Sequence, residues 1–215
     1  MSDPTRPPMR RDALANRERI IDTAETYFRE NGLDAPLQGL AAAANVGAGT
    51  LYRNFASHAD VIRALYDRYV NYFDELAVRA LGLPTGWAGI ELVLDECMAY
   101  LVHKAIVAEV MRRQANNDPD YRPSARWIGP IDEIVARAIA EGSARPDLVA
   151  ADLSAAAIML GGVQPFAPVH HEWISQRMLA LCLDGMRAHP HQATNLPEVP
   201  EGFDGTTDSI IKREP

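Results

Sequence analysis

Along nearly the whole chain, apolar residues recur at the spacing of one helical face. Ile20, Ala24, Tyr27 and Phe28 stand at i, i+4, i+7 and i+8, which predicts a first amphipathic helix. Asn31-Gly32 ends it, because both residues accept the left-handed conformation of a helix stop. A short helix across 36–44 follows, then Asn45-Val46-Gly47, then a second short helix through Phe55. Ser57-His58-Ala59-Asp60 reads as a capping box with Asp in place of Glu, opening a long helix. That helix carries the stripe Val61, Leu65, Tyr69, Tyr72 and Leu76 and closes at Leu83-Pro84. Further helices are expected near 86–104, 105–115, 124–142, 149–162 and 170–188. Three of them rest on the stripes Ile90/Leu94/Met98/Leu101, Ile131/Ile134/Val135/Ala138 and Ile174/Met178/Leu181. Strand-like alternation bounded by turns is missing, and no internal repeat shows. The expected class is all-α.

The two ends differ from this pattern. Residues 1–9 are polar with three prolines and read as a flexible arm, and 190–215 are rich in Pro, Gly and acid and read as a disordered tail. Between them the expected division is a helix-turn-helix domain over 10–57 and a second helical domain over 58–189.

Composition narrows the function. The chain has 215 residues, 47% of them hydrophobic, enough to bury the core of one or two domains. Lys and Arg total 21 against 29 Asp and Glu, so the net charge of −8 excludes a uniformly basic binder of nucleic acid or anionic membrane. The charge is uneven. Residues 1–58 hold seven Arg and seven acidic residues, so 59–215 carry the whole excess. Arg6, Arg10 and Arg11 suit a minor-groove arm, although a solubilising tail is the commoner reading of such residues. The longest small or apolar run, Ala155–Val163, has nine residues, far short of the roughly 20 that span a bilayer. With no leader-like start, a cytoplasmic protein is expected. Cys97 and Cys182 match no metal or redox spacing and read as buried thiols.

The informative stretch is Leu37-Gln-Gly-Leu-Ala-Ala-Ala-Ala-Asn-Val-Gly-Ala-Gly-Thr-Leu-Tyr-Arg-Asn-Phe55. Two short helices joined by about three residues match a helix-turn-helix, whose second helix enters the DNA major groove. Leu37, Leu40, Ala41, Val46 and Leu51 would pack inward, and Asn45 would take the positive φ of the turn. Gly47 and Gly49 remove bulk at the front of the second helix, so its backbone can approach DNA. Thr50, Tyr52, Arg53 and Asn54 offer hydrogen bonds to phosphates and base edges.

Residues 17–66, and above all Gly49-Thr50-Leu51-Tyr52-x-x-Phe55-x-Ser57, resemble the N-terminal DNA-binding domain of TetR-family transcriptional regulators. Residues 179–187 resemble the last helix of one subgroup more weakly. The resemblance implies a homodimeric helical repressor that binds a palindromic operator and is released by a small, partly apolar effector. It implies DNA contacts from Thr50, Tyr52, Arg53 and Asn54, and places Gln38 and Ala48 where contacts are frequent. His58 stands where the family usually has a phosphate-binding lysine. The chain departs from the pattern elsewhere. Asn45 replaces the usual turn glycine, Gly47 a capping serine, and Ala35-Pro36 a threonine or serine that caps the second helix. Pro36 suits a first helical position, and Gly39 within a short helix costs about 1 kcal/mol relative to Ala.

For the helical remainder, Met98, Tyr100, His103, Met111, Trp127, Ile131, Met159 and Phe166 are candidates to line an effector cavity, with Trp87 near its mouth. Apolar stripes at helical spacing are usually plain core, which is the other reading of each of these residues. The helices near 149–162 and 170–188 combine small and large apolar residues, which suits a dimer face or one subunit's interior. A single helix-turn-helix reads too few base pairs, so such modules bind as dimers with half-sites about 34–36 Å apart. His170-His171-Glu172 lacks metal-ligand spacing, and no nucleophile elbow or dinucleotide fingerprint occurs. No enzyme, catalytic residue, cofactor or metal is expected. A helical ligand- or protein-binding dimer with weakened DNA binding is the alternative.

Overall fold

A computed structural model describes residues 8–104, 106–118, 120–161, 170–189 and 195–198. The described residues are mostly helical, and no strand occurs among them. Its elements are α1 (Pro8–Asn31), α2 (Leu37–Ala43), α3 (Ala48–Asn54), α4 (His58–Leu81), α5 (Gly86–His103), α6 (Ile106–Asn117), a 3₁₀ turn (Pro123–Trp127), α7 (Ile128–Ala140), α8 (Ala150–Gly161) and α9 (His171–Met186).

The chain divides into two compact units, one ending at Asp67 and the other beginning at Arg68. The capping box places an expected boundary at 57/58, whereas the division falls ten residues later, inside α4. The box itself is present: Ser57 N–H donates to Asp60 Oδ2 at 2.8 Å and Asp60 N–H to Ser57 Oγ at 3.2 Å. It starts a helix without separating domains, because the first turns of α4 bury Val61, Ile62 and Leu65.

Two expectations are corrected by the backbone. Pro8 and Met9 belong to α1, so the expected arm over 1–9 reaches no further than residue 7, and Arg10 and Arg11 stand on a helix. Residues 1–7, and the expected tail apart from 195–198, lie outside the described residues. The single helix expected over 124–142 is a 3₁₀ turn followed by α7. Pro130 in the first turn of α7 has no N–H to give to the carbonyl of Arg126, so the α-ladder cannot extend back through it.

In the first unit, Ile20, Ala24, Phe28, Leu40, Leu51, Phe55 and Leu65 form the core. Gly39 has a tertiary reason for its place in α2. A Cβ there would stand 2.2 Å from Tyr27 Oη and 2.9 Å from Cζ. The Tyr27 hydroxyl donates to the Pro36 carbonyl at 2.9 Å, tying α2 to α1. In the second unit α5 is the central helix, packed on α7, α8 and α9. Gly86 allows its close approach to α7, since a Cβ would meet Ala138 N at 2.2 Å, and Gly161 lets α8 sit against Leu101. Burial pushes the Cys97 thiol up to about 12.

Gly39→Ala is expected to destabilise by about 1–3 kcal/mol, overpacking outweighing the helix propensity of alanine. Tyr27→Phe in the same chain recovers part of the loss, as denaturant midpoints of the two single variants and the double variant will show. At pH 8 the native chain should leave Cys97 unmodified by iodoacetamide, while in urea both thiols are alkylated; mass spectrometry of the peptides reads this.

Candidate functional site

The connection between α2 and α3 is fixed by its hydrogen bonds. Asn45 holds the positive φ expected of it, 52°. Val46 N–H donates to Ala41 O at 3.0 Å and Asn45 N–H to Ala42 O at 3.1 Å. These are the two bonds of a Schellman stop, here built on Asn where glycine is commoner. Gly47 then caps α3 in extended conformation with no side-chain bond, and its carbonyl accepts from Thr50 and Leu51 at 2.8 and 3.1 Å.

The entry to α2 differs from expectation. Pro36 is its cap, with φ −62° and ψ 137°, and the first helical residue is Leu37. No side chain caps the helix.

One buried residue of α3, Leu51, turns the other faces outward. Gln38, Gly47, Ala48, Gly49, Tyr52 and Arg53 are exposed, Tyr52 to 44%, and Thr50 and Asn54 are half-buried. Val46, expected inside, is also half-buried. Within this surface Arg53 donates to Thr50 Oγ1 at 2.9 Å, Asn54 Nδ2 to the Thr50 carbonyl at 2.8 Å, and Gln38 Nε2 to Tyr52 Oη at 3.5 Å. So α2 contributes Gln38 to the polar face that α3 presents. A Cβ at Gly47 or Gly49 would meet nothing within 4 Å, so neither glycine is required by packing within the chain.

His58, for which the resemblance implies a phosphate contact, is half-buried. Its ring lies 5.2 Å from that of Phe28, and Nε2 is covered without a hydrogen-bond partner. Reaching a phosphate through Nε2 requires a rotation of the side chain.

Sequence reasoning missed Arg17. From α1 it donates to the Asn54 carbonyl at 3.1 Å, with its guanidinium 4.4 Å from the centre of the Phe55 ring. A cation at a helix C-terminus opposes the negative end of the backbone dipole, and the planar group stacks as an ammonium cannot. Residues 37 positions apart meet here, so no local pattern announces it.

The second unit buries several of the expected cavity residues. Trp87, Met98, Met111, Trp127 and Ile131 are buried, and Tyr100 is half-buried. Tyr100 stacks on Tyr72 at 3.9 Å, and Phe73 links it edge-on to Trp127, with centroids 5.5 and 5.6 Å away. Tyr72 and Phe73 were not among the expected lining residues. Tyr72 donates to Glu96, and its hydroxyl is pushed up to about 12 by burial and then by the Glu96 charge. Arg79, paired with Glu96, holds that carboxylate below its usual range. Trp87 Nε1 donates to Glu91 and its ring lies under Arg187 at 4.2 Å. Met159 is corrected: it is 65% exposed on α8 and lines no interior. Phe166 and the side chain of His103 lie outside the described residues. Among the described residues no helix is long and apolar enough to cross a membrane, and no three His, Cys, Asp or Glu side chains converge.

Comparison with known proteins places this geometry. Residues 20–65 match the family model described as bacterial regulatory proteins, tetR family. A TetR transcriptional regulator from Streptomyces coelicolor is 27% identical, with 80% of this chain and 98% of that one covered at a TM-score of 0.60. Residues 20–65 are thus similar to the tetR family of bacterial regulatory proteins, and the fold along most of the chain is similar to that of solved TetR regulators. A TetR transcription regulatory protein from Mycobacterium vanbaalenii shares the fold, at a TM-score of 0.59 over 84% of this chain and 99% of that one with 24% identity. An HTH-type transcriptional regulator of Staphylococcus aureus is 36% identical over 66 residues, 30% of this chain. The match spans little more than a third of that relative's length, 36%. The chain is therefore similar to regulators by its N-terminal unit in sequence and along most of its length in fold.

Arg17→Ala is expected to cost about 1–2 kcal/mol, since it removes a charged hydrogen bond and a dipole partner from a short helix. Arg17→Lys should recover part of this, because the charge returns without the planar face; thermal melts of the three chains measure it.

Proposed function

We propose that this chain is a homodimeric, sequence-specific transcriptional regulator, a repressor that binds a palindromic operator through α3 and releases it on binding a small molecule. The observation that carries the reading is the exposed face formed by Gln38, Gly47, Ala48, Gly49, Tyr52 and Arg53. It offers donors of the kind that read base edges and phosphates. Its two glycines, unneeded for packing, leave room for a duplex. Thr50 and Asn54 hold Arg53 and the last turn in place.

The effector would bind in the second unit among Met98, Tyr100, Met111, Trp127 and Ile131. The dimer would form through α8 and α9, which expose Met159, Trp173, Met178 and Leu181. Release requires that the effector bind the DNA-free arrangement more tightly, by about 1–3 kcal/mol for couplings of this kind. The inward ring of His58 and the uncapped start of α2 favour a second reading, a helical binding protein whose grip on DNA has weakened.

Selection of bound duplexes from a random library at low salt separates the two. An enriched palindrome is the expected result, and Arg53→Ala should then weaken binding to it by about 1–3 kcal/mol if the guanidinium contacts a guanine. A folded dimer that enriches nothing supports the second reading.

A further inference from the structure

Among the described residues of the second unit, one buried amide has incomplete hydrogen bonding. Gln114 on α6 is 2% exposed, and its Nε2 is buried with no hydrogen-bond partner. It lies on the buried stripe of that helix, Ile106, Val107, Val110, Met111, Gln114 and Ala115. Glutamine at such a position runs against the pattern, since the helix would pack with leucine or methionine at the same volume. Burying an amide donor unmet is unfavourable, and structures that keep one generally have a use for it.

The surroundings narrow that use. α5 packs closely on α7, α8 and α9, and the face of α6 that carries Gln114 is buried. The stripe is apolar on both sides of the amide, so a guest is apolar with one hydrogen-bond acceptor. That acceptor is uncharged. Among the described residues the one buried cationic side chain is Arg145, engaged by both oxygens of Asp147. A carboxylate beside Gln114 would be desolvated with no fully buried cation free to pair with it, which is unfavourable.

We infer that Gln114 is a specificity-determining residue of the effector site and donates to a neutral carbonyl, of a ketone, ester or lactone, on an otherwise apolar molecule. The inference rests on the proposed reading of the second unit as an effector domain, and it adds the chemical class of the effector and the atom that reads it.

The test uses the full chain without DNA, so it stands or fails separately from operator binding. First, Gln114→Leu and Gln114→Met should melt above the parent chain by about 2–4 °C, because each removes an unmet donor at similar volume. A lower melting temperature for both variants means that the amide is already satisfied, and overturns the inference. Second, the side-chain amide resonances of Gln114, assigned by their loss in Gln114→Leu, are followed with three probes of one shape: acetophenone, ethylbenzene and benzoate. Acetophenone should shift the amide proton downfield, while ethylbenzene and benzoate should not. No shift with acetophenone, or an equal shift with either of the others, also overturns it. Loss of operator binding in the parent chain with both results as expected would remove the DNA reading and leave the ligand chemistry standing.

Discussion

A helix of seven residues has too few internal hydrogen bonds to persist by itself in water. Everything the N-terminal unit presents therefore rests on how α3 is anchored. The anchors are few and identifiable. Leu51 is wholly buried, Phe55 just beyond the helix is nearly so, and Arg17 covers the C-terminal carbonyl while lying on the Phe55 ring. At the other end the Schellman bonds around Asn45 set the angle at which the chain leaves α2. With one apolar side chain committed inward, the remaining faces are left to polar residues and glycine. The anchoring and the display are thus two consequences of the same short segment.

The same economy explains the contact between α1 and α2. Tyr27 gives its ring to the interior side of α1 and its hydroxyl to the Pro36 carbonyl, and Gly39 makes room for it. A proline start with no side-chain cap leaves α2 poorly specified by its own sequence, and the tyrosine supplies the missing tie. His58 shows the converse. A polar ring at the start of α4 is drawn onto Phe28, because the aromatic contact and burial compensate its lost exposure to water.

In the second unit polar groups mark the periphery and aromatic rings fill the wide gaps. Arg79, Glu96 and Tyr72 form a connected set at the edge of the Tyr72–Tyr100 stack. Arg187, Glu91 and Trp87 form another. In both, a carboxylate orients an aromatic side chain through its polar atom and is itself held by an arginine. Gln114 has no such partner on Nε2.

The helices, their stops and the capping box were legible because each is written within a few neighbouring residues. A 3.6-residue period, Asn31-Gly32, Asn45 and Ser57-x-x-Asp60 act through φ preferences and bonds spanning one turn. The outward polar face around Tyr52 and Arg53 follows from the same period once Leu51 is known to face inward. The tertiary structure alone decided the rest. The need for glycine at 39, the stacking of Arg17 on Phe55, the covered Nε2 of His58 and the exposure of Met159 depend on which helix docks where. Periodicity says that a residue lies on an apolar stripe, as both Met159 and Gln114 show from opposite sides. Whether a neighbour covers the stripe, and whether a polar atom on it finds a partner, is set by contacts between residues far apart in the chain.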